Sequence, residues 1–212
     1  MADKKINYKE VYDYLIDNYA MNKNHALGIL ANVQSESGFR PGVMGDHMIE
    51  DPTGNLDNKD RLVRKKGDIW YYSHGDKKGQ QVEGNLIEGI KPTSGGLFQH
   101  HGSRFDSMVN AAGENWATNW KGQIDYAMTE RSMKKYLKQN YDNLEDAVGS
   151  FMKIFERPAD QSDANVNKRF KNIKLFTEIG IDTDTPNPQD RFQGEQEGNQ
   201  GGETEKQLET EV

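Results

Sequence analysis

The segment 32-NVQSESGFRPGVMGDH-47 decides how the rest of the chain is read. It runs from the last turns of a helix, through a stop at Gly38, into a turn at Pro41 and Gly42. Two carboxylates frame it: Glu36 in the helix's last turn, and Asp46 ten positions later in a polar loop. Unpaired carbonyls at a helix C-terminus carry partial negative charge, so an ionised carboxylate at position 36 is disfavoured there. A carboxylic acid that keeps its proton near neutral pH is what a general acid must be. Asp46 follows the flexible PGVMG turn, where a carboxylate stays wet and ionised, although Asp also serves simply to form turns. A protonated acid beside an ionised one is the pairing that glycoside hydrolysis uses. One protonates the leaving oxygen while the other activates water or steadies an oxocarbenium-like centre. The plainer alternatives are a solvated surface Glu and a turn-forming Asp.

Upstream, 7-NYKEVYDYLIDNYA-20 pairs the cap Asn7 with Glu10 and spaces Val11, Tyr14, Leu15 and Tyr19 as a helix does. A second helix spans about 24–37, with Leu27, Leu30 and Val33 facing inward. From 41 to 95 helical periodicity is lost, and Gly, Asp, Asn and Lys predominate. DIWYYSHG and GQQVEGNLIEGI read as strand-like pieces with a hairpin turn at HGDKKG. Helices resume after SGGLFQHHG. They are expected to open at Ser103 with Asp106, at Thr118, within SMKKYLKQN, at Asn143 with Asp146 and at Asp163. Pro158 stops the fourth, and the last runs through Phe170, Ile173 and Phe176 to Gly180. The expected fold class is α+β and predominantly α-helical, with a small β subdomain or insertion at about 41–95. The domain covers 1–182, and 183–212, almost devoid of apolar residues, reads as a disordered acidic tail.

At 212 residues, 33% apolar, with a mean hydropathy of −0.97, the chain suffices for one domain with an appendage. Zero cysteines exclude a disulfide framework, a thiolate metal site and a Cys nucleophile. The opening MADKKINYKE has no apolar run, which predicts neither a secretory signal nor a membrane span. The net charge of −7 is unevenly placed. From Thr183 onward eight Asp/Glu stand against two Lys/Arg, so the body is near neutral and no basic nucleic-acid footprint is expected.

HALGILANVQSESGF, then GD, then GGLFQHHGSRF, and far downstream FMKIFERPAD together resemble the phage tail lysozyme domain, a member of the lysozyme-like superfamily. These blocks span about 22–180 in the family's order and approximate spacing. The resemblance implies that Glu36 is the catalytic acid, bordering a cleft between an α-rich lobe and a β subdomain. It also implies that Gly96, Leu97, Phe98 and Gln99 line the other wall and meet sugar, and that Asp46 is the second carboxylate. Two departures stand out: His100 occupies a position where a sugar-facing Trp is usual, and 48–93 is longer than the compact loop of many relatives.

Alternation places His100 and His101 on opposite sides, one packing and one meeting solvent or sugar, which argues against a metal site. Trp70 and Tyr72 share a face, to be used either as a carbohydrate platform or as the core of the β subdomain. Trp116 and Trp120 are assigned to core. Glu156, just before Arg157 and Pro158, is a candidate for holding the cleft through an ion pair.

The reading implied is a muramidase that cleaves the β-1,4 bond between N-acetylmuramic acid and N-acetylglucosamine without cofactor or metal. Glu36 and Asp46 are its catalytic residues, and Phe98, Gln99, His101, Ser103 and Tyr72 its substrate contacts. The expected partner is bacterial peptidoglycan, with other phage tail or baseplate proteins docking on the acidic tail; nucleic acid and membrane are not expected. The expected location is a virion tail acting on the host wall or periplasm, or host cytoplasm before lysis. A lytic transglycosylase and an inactive structural tail or baseplate protein are the rivals.

Overall fold

The computed structural model describes residues 4–50, 57, 59–181 and 183. Helix α1, Tyr8–Tyr19, starts at Asn7, whose side chain accepts from the Lys9 amide at 2.8 Å, and ends at a left-handed Ala20. Helix α2, Lys23–Glu36, is capped in the same way by Asn22. Every residue from His25 to Val33 is buried, so α2 is the axis of the helical lobe and not a surface amphipathic helix. It packs on α6, Leu144–Phe151, and Asn32 ties the two by donating to the Gly28 and Val148 carbonyls. Gly28 allows this approach: a Cβ there would lie 2.4 Å from the Tyr136 hydroxyl and 3.0 Å from the Ala147 carbonyl.

Between the helices the chain builds a four-stranded antiparallel sheet in the order β3-β2-β1-β4. Its strands are β1 His47–Ile49, β2 Leu62–Lys66, β3 Ile69–Tyr72 and β4 Ile90–Pro92. The tight hairpin lies at Gly67-Asp68, earlier than expected, because β3 pairs with β2 from Val63↔Tyr72 to Lys66↔Ile69. HGDKKG does turn the chain back, but only an isolated Tyr71↔Gln81 bridge follows, and Gly84–Gly89 forms a 3-10 turn in place of a strand. Ile49, Val63, Tyr72 and Val82 form this lobe's small core. A two-stranded ribbon, β5 Ser94–Gly95 with β6 His100–His101, returns the chain to the helical lobe.

The remaining helices are α3 Ser103–Ala112, α4 Trp120–Thr129, α5 Arg131–Leu137, α7 Asp163–Phe170 and α8 Ile173–Glu178. The long last helix expected from 163 is two, and three caps shift by one residue, to Gly102, Asn119 and Ser162. Asn143 caps α6 as expected, accepting from the Asp146 amide at 2.8 Å. Past Phe151, α6 widens into a π turn over Met152–Glu156, closed by the Arg157 amide donating to the Met152 carbonyl at 2.8 Å. The expected disordered tail, Thr183 apart, lies outside the described residues, as do 51–56 and 58 of the β subdomain. Among the described residues no helix is long and apolar enough to cross a membrane.

Candidate active site

Glu36 closes α2, and the next residues turn sharply. Gly38 and Phe39 both have left-handed backbones, at φ 59° and 61°. That reversal sends the Phe39 ring into the core against Tyr8 and Phe176. The crowding around Glu36 comes from two groups far along the chain. Arg169, on α7, donates from Nη2 to Glu36 Oε1 at 2.8 Å, and its Nη1 lies 3.0 Å from Glu156 Oε2. Glu156 therefore does have an arginine partner, but it is Arg169. The Arg157 side chain donates instead to the Ile154 carbonyl.

These three side chains are graded in depth. Glu156 is 4% exposed and Arg169 5%, whereas Glu36 retains 24%. Burial, followed by repulsion from the Glu36 carboxylate, pushes the Glu156 carboxyl well above the usual carboxylate range. Arg169 pulls the other way without overcoming burial. The carboxyl that favours its proton is thus Glu156, which shares the Arg169 guanidinium with Glu36.

The 43–46 loop and the β5–β6 ribbon, which carry Asp46, Gln99 and His101, are laced together by hydrogen bonds. The Gly45 amide donates to the Ser94 carbonyl at 3.0 Å, the Asp46 amide to Ser94 Oγ at 2.7 Å and the Gly96 amide to the Val43 carbonyl at 2.9 Å. This lacing brings Asp46 beside His101, with Oδ2 and Nε2 3.6 Å apart and both side chains 58% exposed. Gln99, held at φ 47°, donates through its amide to the Val43 and Gly96 carbonyls. Ser103 is exposed at the start of α3. His101, Gln99 and Asp46 therefore share one wall. Phe98 and Tyr72 do not offer sugar contacts. Phe98 is buried against Phe151, Phe155 and His100, and Tyr72 lies in the core of the β lobe with Trp70 partly buried beside it.

His100 points inward, as the alternation required, and takes a structural partner. Burial lowers its pKa, so the neutral ring shares its Nε2 with Glu130 at 2.9 Å. Arg104 adds a bidentate pair to the same carboxylate, at 2.7 and 2.9 Å. Burial alone would raise Glu130, but the hydrogen bonds from His100 and Arg104, with their charge, hold it down at about 2. We attribute most of that depression to Arg104, because His100 is itself uncharged near neutral pH.

Gln123 went unnoticed in the sequence. Fully buried on α4, it accepts from the Leu97 amide at 2.8 Å and donates to the Pro41 and Trp116 carbonyls at 3.0 and 2.6 Å. It clamps the turn after Glu36 to the loop carrying Gln99. Gly96, at φ 82°, leaves it room, since a Cβ would sit 2.8 Å from Gln123 Oε1. The visible signal was a polar residue between Trp120 and Ile124 on an otherwise apolar helix face.

The family model described as phage tail lysozyme matches residues 6–174. No curated protein matches the chain, and no solved structure does.

Proposed function

The chain belongs to the phage tail lysozyme family, whose lysozyme-like members act on peptidoglycan, and from that premise we propose that it is a muramidase. The observation carrying this reading is the Glu36–Glu156–Arg169 trio: a buried carboxyl that favours its proton, joined through Arg169 to a carboxyl that reaches solvent. Glu36, the more exposed of the two, delivers a proton to the glycosidic oxygen. Glu156 is the source of that one proton, and Arg169 steadies the two carboxylates left behind. Asp46, wet and opposite, orients or activates the attacking water, helped by the neighbouring His101. Gln99 and Ser103 hydrogen-bond the acetamido sugars. A virion-borne tail location, where the enzyme opens the wall locally during DNA injection, fits the family.

A lytic transglycosylase is the second reading, favoured by the exposure of Asp46, since that chemistry uses one carboxyl as both acid and base. Mass spectrometry of muropeptides released from purified wall tests both. Reducing-end products, lost in Glu36→Gln and slowed in Asp46→Asn, are expected. Anhydro products with Asp46→Asn fully active would overturn the hydrolytic scheme, and no fragments at all would leave an inactive tail scaffold.

A further inference from the structure

A second concavity lies on the far side of the Phe155–Glu156 segment. It has a volume of about 550 Å³ and is lined by Arg104, Glu130, Arg131, Lys135, Phe155 and Arg157. The Glu130 carboxylate is fully committed to Arg104 and His100. Arg131, Lys135 and Arg157 are left without a carboxylate within ion-pair distance among the described residues. Three uncompensated cations thus converge in one hollow, in a body that is otherwise near neutral. Arg104 also stacks on the Phe155 ring, 5.0 Å from its centroid, and this fixes the base of the hollow. Arg157 stands at φ 53°, a left-handed conformation that is strained for a non-glycine residue. Its Nε–H bond to the Ile154 carbonyl anchors the guanidinium while leaving both terminal amino groups for an anion.

The hollow is not remote from the acid. Arg157 directly follows Glu156, so their Cα atoms are about 3.8 Å apart, and Phe155 contacts both Arg104 in the hollow and Phe98 in the wall. A glycan seated at Glu36 carries short peptides on its lactyl groups, and those peptides bear free carboxylates. Four extended residues reach about 13–14 Å, enough to leave the glycan and round one helical turn. We propose that this hollow is a carboxylate-binding subsite for the stem peptide of the peptidoglycan strand being cut. The inference rests on the muramidase reading for its substrate, but its test does not depend on cleavage. The near-planar fork of Arg157 and Arg131 suits a bidentate carboxylate, and Lys135 adds a point charge at the rim.

The full-length Glu36→Gln protein is titrated with N-acetylmuramyl-tetrapeptide and, separately, with peptide-free chitotetraose, following binding by calorimetry and amide chemical shifts. The peptide-bearing probe is expected to bind at least tenfold more tightly and to shift the amides of 131–135 and 157. Arg131→Glu with Lys135→Glu, both exposed and free of structural bonds, should erase that advantage and leave chitotetraose binding unchanged. Equal affinity for the two probes overturns the proposal, as does an undiminished preference in the double variant. So does binding of a glycerol-phosphate wall polymer by the same residues when the tetrapeptide does not bind. Wild-type cleavage of intact and amidase-stripped glycan, run in parallel, separates the two readings. A protein that cuts neither strand yet binds the tetrapeptide through Lys135 refutes the hydrolase alone. One that cuts both equally and binds both probes alike refutes the subsite alone.

Discussion

The two regions that carry the proposed catalytic carboxylates hold them in opposite environments. On the helical side, Glu36 is bonded to an arginine that also meets a second carboxyl; Arg169 and Glu156 are each about 95% buried, and all three sit on helices or helix ends. On the sheet side, Asp46 and His101 are more than half exposed, 3.6 Å apart, on a loop and a two-residue strand. A charge in the first setting cannot be screened by water, so its partners fix its protonation and position. A charge in the second is free to follow the substrate, and its pairing is worth little. On the proposed mechanism the proton source is therefore built rigidly, and the water-handling side is left adjustable.

The sharpest way to break this contrast is Arg169→Ala. Removing the one cation from a buried carboxyl pair should cost about 3–5 kcal/mol in urea denaturation; a loss under about 1 kcal/mol would make the helical wall no firmer than the other. Glu156→Gln comes next. The side chain keeps its shape beside Arg169 but has no acidic proton to lend, so cleavage should fall by about 10²-fold, the low end of general-acid contributions. The same variant should alter the pH dependence of stability. The folded state retains a proton that the unfolded chain releases above about pH 4.5, so wild-type stability declines as pH rises from there, and Glu156→Gln should flatten that decline. Unchanged activity and an unchanged slope would remove Glu156 from the scheme.

Glu130 shows the opposite sign and serves as a control. Held at about 2 against 4.5, it contributes stability that is present above pH 4.5 and lost as pH falls toward 2. Glu130→Gln should remove part of the acid-induced drop in thermal melts between those values, with no effect on the slope at neutral pH. The smallest effect is expected from His101→Ala, whose exposed pairing with Asp46 should be worth under about 1 kcal/mol of stability. A larger loss would mean that the sheet wall is as tightly organised as the helical one.

The helices were legible because their caps and periods are local. Asn7, Asn22 and Asn143 each cap the helix that follows; Val11 and Leu15 in α1 and Leu27, Leu30 and Val33 in α2 are buried, while Tyr14 and Tyr19 are only partly so. The two-residue turn at 67–68 carries the usual Gly-Asp signal but was missed, since LVRKK before it reads as a charged loop. The acid trio was illegible for a different reason. Arg169 is 133 residues from Glu36 and lies in DANVNKRF, a helix so polar that its one buried cation looks like solvent-facing surface. Glu156 precedes Arg157 and Pro158, which suggests a nearer partner than the one it has. A pairing across that separation is set by tertiary packing, and no periodicity encodes it. Gly38 announced a turn, but only the left-handed Phe39 beside it shows that the ring swings into the core.

The wide turn at Met152–Glu156 fixes the angular phase of everything after α6. An ordinary α-helix advances about 100° per residue, so deleting a single residue among 152–155 would restore normal winding and rotate position 156 by about that angle. The carboxyl would leave its place behind Glu36 with every side-chain identity preserved. If the trio acts as proposed, its proton supply is specified by spacing as much as by composition, and a one-residue indel in an apparently structural helix would silence it as surely as replacing the glutamate.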